Sequence, residues 1–465
     1  MEQNFLFSEE ATESRAEMLS RLLCEHRFAE ARELLLPLPA ADIALLWEAT
    51  EVAHSPLLYR LLPKEKAAEV FVEMDTDAQM RLITCFSDRE LKEMLAELYL
   101  DDTVDLIEEM PASVVARILR NTPREERDML NFILRYPSDS AGSLMTTDFV
   151  RLGREMTVAD AFAVIRHDAI DKETVYNCYV TNENRILIGI VSVKTMLLSD
   201  ATAKIGDIME ENVIYTHTLT DKEEVVRMFD RYDFLALPVV DNEHRLVGII
   251  TVDDAIDVMQ EEIEEDFTKM AAITPSEAPY LKASPVSIFM TRFPWLLLLM
   301  LSATFTGLII SGFESALSAC VALTAFIPML MGTGGNSGSQ ASVTVIRGLS
   351  VGEIAYRDTL RVLGKELCVS VLCALALAAV TFGKVLLVDR LLLGNPAVTL
   401  AVAFTVSLTL AVTVVCAKLI GAALPILAKR IGLDPAVMAS PFITTIVDAL
   451  SLLVYFAVAN SLLGL

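Results

Sequence analysis

The side chains best suited to chemistry are carboxylates in two unlike settings. One is Asp448, a lone acid inside a long apolar stretch; Thr444 and Thr445 precede it by four and three residues, so on a helix they share its face. Asp434 lies about 21 Å earlier if the span were continuously helical, with Ser440 between. An unpaired charge in apolar surroundings is costly, so such a group faces a bundle interior or a watery route. The other setting is Asp253–Asp266, DDAIDVMQEEIEED, with eight carboxylates and no Lys or Arg. On a helix Asp254, Asp257, Glu261 and Glu265 fall on one face and repel one another. Water and salt, a basic partner or divalent cations must offset that repulsion, and hard divalent cations prefer carboxylate oxygens. The run therefore reads as a solvated face or as a cation-binding lever. Asp101, Asp102 and Asp105 form a third acidic group, read as a solvated face or as one wall of a cation site.

A second polar island, FIPMLMGTGGNSGSQASVTVIRGL from Phe326 to Leu349, lies in the same apolar third of the chain. Asn336 and Gln340 stand one turn apart there. Gly334, Gly335 and Gly338 each cost a helix about 1 kcal/mol. The segment reads as a bent stretch beside an ion pathway, or as close helix packing through small residues.

The elements that must position these groups differ along the chain. Residues 1–136 lack glycine and repeat apolar residues at three and four, which predicts an all-α domain. Met74 and Met110 close related phrases 36 residues apart, a weak sign of a helical solenoid. Residues 137–257 alternate short strands with helices. Gly189-Ile190-Val191-Ser192 and Gly248-Ile249-Ile250-Thr251 lie 59 residues apart, so two α/β modules of about 60 residues are expected, at 138–200 and 204–257. Residues 258–281 carry the acidic helix onward. Residues 282–465 hold five apolar stretches, 293–311, 317–346, 366–387, 398–427 and 437–463, each long enough for a bilayer of about 30 Å. Basic residues gather in alternate loops, at Arg347, Arg357, Arg361 and Lys365 and again at Lys429 and Arg430. The excess of positive charge marks the cytoplasmic side, which places the N-terminal half inside and Leu465 outside an inner membrane.

Composition agrees with this division. The 465 residues are 53% hydrophobic, with a formal net charge of −25, and the mean hydropathy is +0.47. From residue 282 onward there are 11 Lys/Arg and 7 Asp/Glu, which leaves 27 and 56 before it. So acidic a soluble half argues against nucleic acid and favours cations as partners. The seven cysteines are scattered without a CxxC spacing, which predicts neither a disulfide framework nor a zinc site. No clustered Ser/His/Asp and no phosphate-binding glycine loop points to an enzyme. The acidic N-terminus has no basic flank before an apolar core, so no secretory signal is expected.

The duplicated modules resemble paired cystathionine-β-synthase-type (CBS) domains, which implies adenine-nucleotide binding with ATP as the candidate. GTGGNSGSQAS at 332–342 and LDPAVMASPFITTIVD at 433–448 resemble the MgtE-type magnesium transporter family, as does the order of domains. The resemblance implies a homodimeric Mg2+ channel with its pore between subunits. It implies an ion pathway past Asp448, Thr444, Thr445, Ser440, Asn336 and Gln340. The acidic connecting helix would be a plug that closes when Mg2+ fills sites among Asp101, Asp102, Asp105, Asp233, Asp254, Asp257, Glu262, Glu265 and Asp266. Ser451 departs from the family pattern, which has Gly three residues after the pore Asp. Family members vary in nucleotide response, so no nucleotide residues are assigned. Transport of another divalent ion such as Co2+ or Mn2+, and a non-conducting Mg2+ sensor, are the alternatives.

Overall fold

The computed structural model describes residues 9–50, 55–168, 172–276, 280–281 and 283–464. The expectation about a secretory signal falls on residues 1–8 and lies outside the described residues. The chain divides into two compact units, Met1–Met259 and Gln260–Leu465.

The first unit opens with short helices, from Glu9–Cys24 to Arg124–Ile133. Their starts are set by residues that cannot continue a preceding helix: Pro63, Pro111 and Pro123 precede three of them, and Ser87 closes a capping box with Glu90. Their apolar faces meet in a core that includes Leu23, Trp47, Phe71, Leu91 and Val104. That core runs on into Leu237, Val239, Ile250 and Ala255 of the next domain.

Two three-stranded sheets follow, with the same topology. β1 (Phe149–Gly153), β2 (Thr174–Thr181) and β3 (Leu187–Ser192) form one; β4 (Thr216–His217), β5 (Ala236–Val240) and β6 (Leu246–Thr251) form the other. In each, the first pair is parallel and the second antiparallel. The expected duplication is thus present in the backbone. Its repeated glycines have a packing cause. A Cβ on Gly248 would lie 2.8 Å from the Thr146 carbonyl oxygen, and one on Gly189 2.5 Å from Met209 Sδ. The modules meet through Tyr179, Ala236, Leu246 and Ile249, with the Phe149 ring edge-on to Tyr179.

Helix α1 (Val252–Met270) leaves β6 and runs across the division between the units. The second unit then holds five long helices: α2 (Pro285–Gly312), α3 (Ile327–Ser350), α4 (Thr359–Lys384), α5 (Leu400–Arg430) and α6 (Ser440–Leu463). Among the described residues, four helical stretches are long and apolar enough to cross a membrane; the polar island keeps α3 from qualifying. The second predicted stretch also starts later than expected. Residues 314–326 form a short helix and a 3-10 segment, and Pro328 lies in the first turn of α3. Many leucines of α2 are exposed and none of its residues is buried, as suits a helix whose solvent is lipid.

Candidate metal centre and ion pathway

In the first unit, the helix Leu100–Glu109 sets its first turn against the start of α1. Carboxylate oxygens of Asp101, Glu173 and Asp254 all lie within 4.8 Å of one another. Asp101 is buried, 7% exposed, so water cannot screen it well. Thr251 donates to Asp254 Oδ2 at 2.7 Å and fixes its rotamer. Burial raises Asp254 to about 7, with the charge of Asp101 next, against the Thr251 hydrogen bond. Burial and then Asp254 raise Asp102 to about 6. Burial and like charge push the Asp101 and Glu173 pair upward as well. Asp105 stands beside them with its outer edge open to solvent, and its carboxyl is pushed up in the same way. Such a set stays protonated or holds a cation. Three or more converging carboxylates, with no thiolate or imidazole among them, are the donor set of a hard divalent ion.

The second unit carries the polar islands. α3 is one unbroken helix through its glycines, and of the two readings of this segment the close packing through small residues is the one the structure shows. A Cβ on Gly335 would lie 2.5 Å from Thr444 Cγ2, and one on Gly334 2.8 Å from both Ser451 Oγ and Thr413 Cγ2. On Gly421 of α5 it would overlap the Gly338 carbonyl group. These glycines let α3, α5 and α6 approach closely. Thr444 therefore sits over Gly335, one residue before Asn336, and Asp448 follows one turn further along α6. Asp448 is half-buried, whereas Asn336 and Gln340 are exposed. Thr445 is half-buried and donates to the Pro441 carbonyl at 3.1 Å. The side chain of Ser440 lies outside the described residues.

The acidic residues named from sequence do not form one group. Asp101 and Asp254 converge, with Asp102 and Asp105 adjacent. Asp233 instead caps the Lys222–Tyr232 helix in a left-handed conformation, φ +53°, and is exposed. Asp257 is exposed and Glu262 half-buried on α1. Glu265 accepts from Lys269 at 2.5 Å, and Asp266 from Ser350 Oγ at 3.0 Å.

Three residues escaped sequence reading. Glu173 joins the acidic centre from the start of β2, where nothing in its neighbourhood marks it. Lys269 closes an ion pair with Asp434. Lys418 is buried midway along α5, 6% exposed, with no ion pair or hydrogen bond among the described residues. A lysine inside an apolar helix was a legible signal.

Family models match most of the chain. The model described as a divalent cation transporter covers residues 327–458, the MgtE intracellular N domain 38–139, and the CBS domain 141–200 and 205–261. Similar proteins include the magnesium transporter MgtE of Thermus thermophilus, 37% identical over 97% of this chain and 99% of its own length. That of Bacillus subtilis is 32% identical over 95% of each. Among solved structures, the soluble part of a magnesium transporter covers 54% of this chain and 99% of its own, at 32% identity and TM-score 0.50. The cytosolic domain of the Mg2+ channel MgtE in complex with ATP covers 52% and 99%, at 36% identity and TM-score 0.50. With apolar helices able to cross the bilayer several times over, this chain is a multi-pass membrane protein that belongs to the MgtE family of divalent cation transporters.

Proposed function

We propose that this protein conducts Mg2+ across a membrane, as a homodimer, and that its own acidic domains close the pathway when cytoplasmic Mg2+ is plentiful. The observation that carries the reading is Asp448: a half-buried carboxylate in an apolar helix, one turn after Thr444, which packs on Gly335 of α3, the neighbour in sequence of the exposed Asn336. Mg2+ gives up its waters reluctantly and is held by one or two carboxylates plus water. Two copies related by a two-fold axis supply two such carboxylates to one hydrated ion. Thr444, Thr445, Asn336 and Gln340 offer polar atoms along the same route. α3 is the fifth crossing: 24 residues span about 36 Å, and its glycine face is covered by α5 and α6 rather than by lipid. The loop charges put the N-terminal half in the cytoplasm.

Gating follows from the acidic centre. Asp101, Glu173 and Asp254 repel when ionised and empty of cation, and are drawn together by a divalent ion. Bound Mg2+ favours a closed arrangement only as far as it binds that arrangement better. α1 carries that bias to the second unit, where its last turn touches residues beside α3 and α6, and so acts as a plug. The remaining predicted acids, Asp102, Asp105, Asp233, Asp257, Glu262, Glu265 and Asp266, extend the sensing surface. The CBS pair binds an adenine-bearing ligand that adjusts this response. ATP is the form that the CBS resemblance implies, and a similar cytosolic domain was crystallised in complex with it.

The test is Mg2+ flux into liposomes, wild type beside Asp448→Ala. Flux that the substitution abolishes in a folded dimer supports the reading. Flux that survives it puts the pathway elsewhere, and stronger uptake of Co2+ or Mn2+ in competition changes the ion. Absence of wild-type flux at low Mg2+ leaves a membrane-anchored sensor.

A further inference from the structure

Two of the chain's five histidines meet on the second CBS module, brought together by its sheet. His217 ends β4, and His244 lies in the turn between β5 and β6. Their ring centroids are 5.6 Å apart, with the planes tilted by 54°. The Tyr215 ring stands 5.6 Å from each and edge-on to both. Side chains alternate along this stretch, so Tyr215 and His217 are exposed while Thr216 is buried. The backbone under both imidazoles is fixed. His217 pairs with Val240 in the sheet. In the turn, Asp241 Oδ1 accepts from the N–H groups of Glu243 and Arg245 at 2.8 and 2.9 Å. The His244 carbonyl accepts from the Leu187 N–H at 3.1 Å.

The fold does not require this group. Gly153 pairs with Thr181 and Thr181 with Leu187, as His217 pairs with Val240 and Val240 with Leu246, so Gly153 holds in the first module the place of His217. Counting on into the turns matches Arg185 with His244, and both have left-handed backbone, φ +64° and +60°. Counting back matches Arg151 with Tyr215. The first module thus builds the same strand end and turn from Arg151, Gly153 and Arg185, without a ring among them. Both histidines are exposed, so they contribute little to a core. What they do offer is ligand chemistry. Imidazole nitrogen suits borderline dications such as Zn2+, Co2+ and Ni2+, whereas Mg2+ prefers oxygen. Metal–nitrogen bonds of about 2.0–2.1 Å to one tetrahedral ion put two imidazole centroids about 5 Å apart. The pair stands close to that spacing, and rotation of two exposed side chains covers the difference. Water completes the coordination.

We infer that the second CBS module holds a borderline transition-metal dication between His217 and His244. The inference is independent of whether the protein conducts Mg2+. The experiment is calorimetric titration of the full-length protein in detergent micelles with Zn2+, in buffer whose Mg2+ is high enough to fill the carboxylate sites. Zn2+ binds over that background. His217→Ala weakens the binding at least tenfold. His244→Asn, which removes the imidazole and keeps a residue at ease in a left-handed turn, does the same. Both side chains are exposed, so both variants melt like the wild type without Zn2+. With Co2+ in place of Zn2+, the visible absorption of nitrogen-bound cobalt is present in the wild type and lost in both variants. No Zn2+ binding over the Mg2+ background overturns the inference. So does Zn2+ binding that survives either substitution, as attachment to the exposed Cys24 and Cys85 thiols would.

Discussion

Lys269 Nζ and Asp434 Oδ2, 165 residues apart in the chain, stand 2.6 Å apart. The pair joins the last turn of α1 to the loop that leads into α6. Asp434 also accepts from the Ala436 N–H at 2.8 Å, which caps the 3-10 turn before α6. Burial opposes the Lys269 charge, but hydrogen bonds with Asp434 and Glu265 raise its pKa overall. Met270 packs against Ile346, Ala436 and Ala439, and Asp266 takes the Ser350 hydroxyl. The end of the acidic helix is thus tied to the base of the helix that carries Asp448.

If that tie holds the pathway shut, Lys269→Ala frees it. A partly exposed ion pair contributes about 0.2–1 kcal/mol, which is up to about fivefold in an equilibrium. The Mg2+ concentration that halves liposome flux should rise by about 1.4- to fivefold in the variant. Asp434→Asn should act in the same direction. An unchanged midpoint in both would show that the pair is not part of the gate.

The acidic centre makes Mg2+ sensing pH-dependent. Asp254 at about 7 and Asp102 at about 6 are raised above their unfolded values, so part of the set is protonated at neutral pH. Mg2+ must displace those protons. Its affinity for the full-length protein should therefore fall as pH drops from 8 to 5.5, with proton release on binding at pH 7. Titration in buffers of different ionisation enthalpy measures that release directly.

The same shifts set a stability window without Mg2+. A carboxyl whose folded pKa is raised contributes stability that is complete below the unfolded value of about 4 and lost as pH rises through the folded value. The metal-free protein should thus lose stability between pH 4 and 8 through this centre. Asp254→Asn removes one of the repelling charges. It should raise the metal-free melting temperature at pH 8 and shrink the further rise that Mg2+ produces. Equal Mg2+ stabilisation of variant and wild type would place the cation elsewhere.

Much of this architecture was legible in sequence because its signals are local. The glycine pair at 189 and 248 betrayed the duplication, since each faces an approach too close for a Cβ. Asp448 stood out because an acid in an apolar run is rare. Glu173 was not legible, because its partners Asp101 and Asp254 lie 72 and 81 residues away and only the fold unites them. The course of α3 stayed open between a bent stretch and close packing for the same reason. Its glycines lower helix propensity, but packing against Thr444 and Gly421 outweighs that local cost.

Those contacts predict a contrast between glycines of similar local sequence. A Cβ on Gly421 would strike the backbone of Gly338, which neither helix can yield without shifting. Gly421→Ala should lower stability by about 1–3 kcal/mol, as overpacking does, and reduce flux. Gly332→Ala meets nothing within 4 Å and should be neutral or slightly stabilising. Thermal melting of both in detergent decides the matter, and equal effects would discount the packing argument.

Lys418 tests the energetics of the second unit from the opposite side. It lies halfway along α5, 6% exposed, with no ion pair or hydrogen bond among the described residues. A lysine at the centre of a membrane helix costs about 2.5–3.5 kcal/mol on insertion scales. Buried positive charge without a partner is the case in which an apolar replacement of similar length stabilises. Lys418→Met should therefore raise the melting temperature of the detergent-solubilised protein by a few degrees. A lower melting temperature would mean that the lysine has a partner in the assembled protein, and that its place in α5 is held by that partner rather than tolerated at a cost.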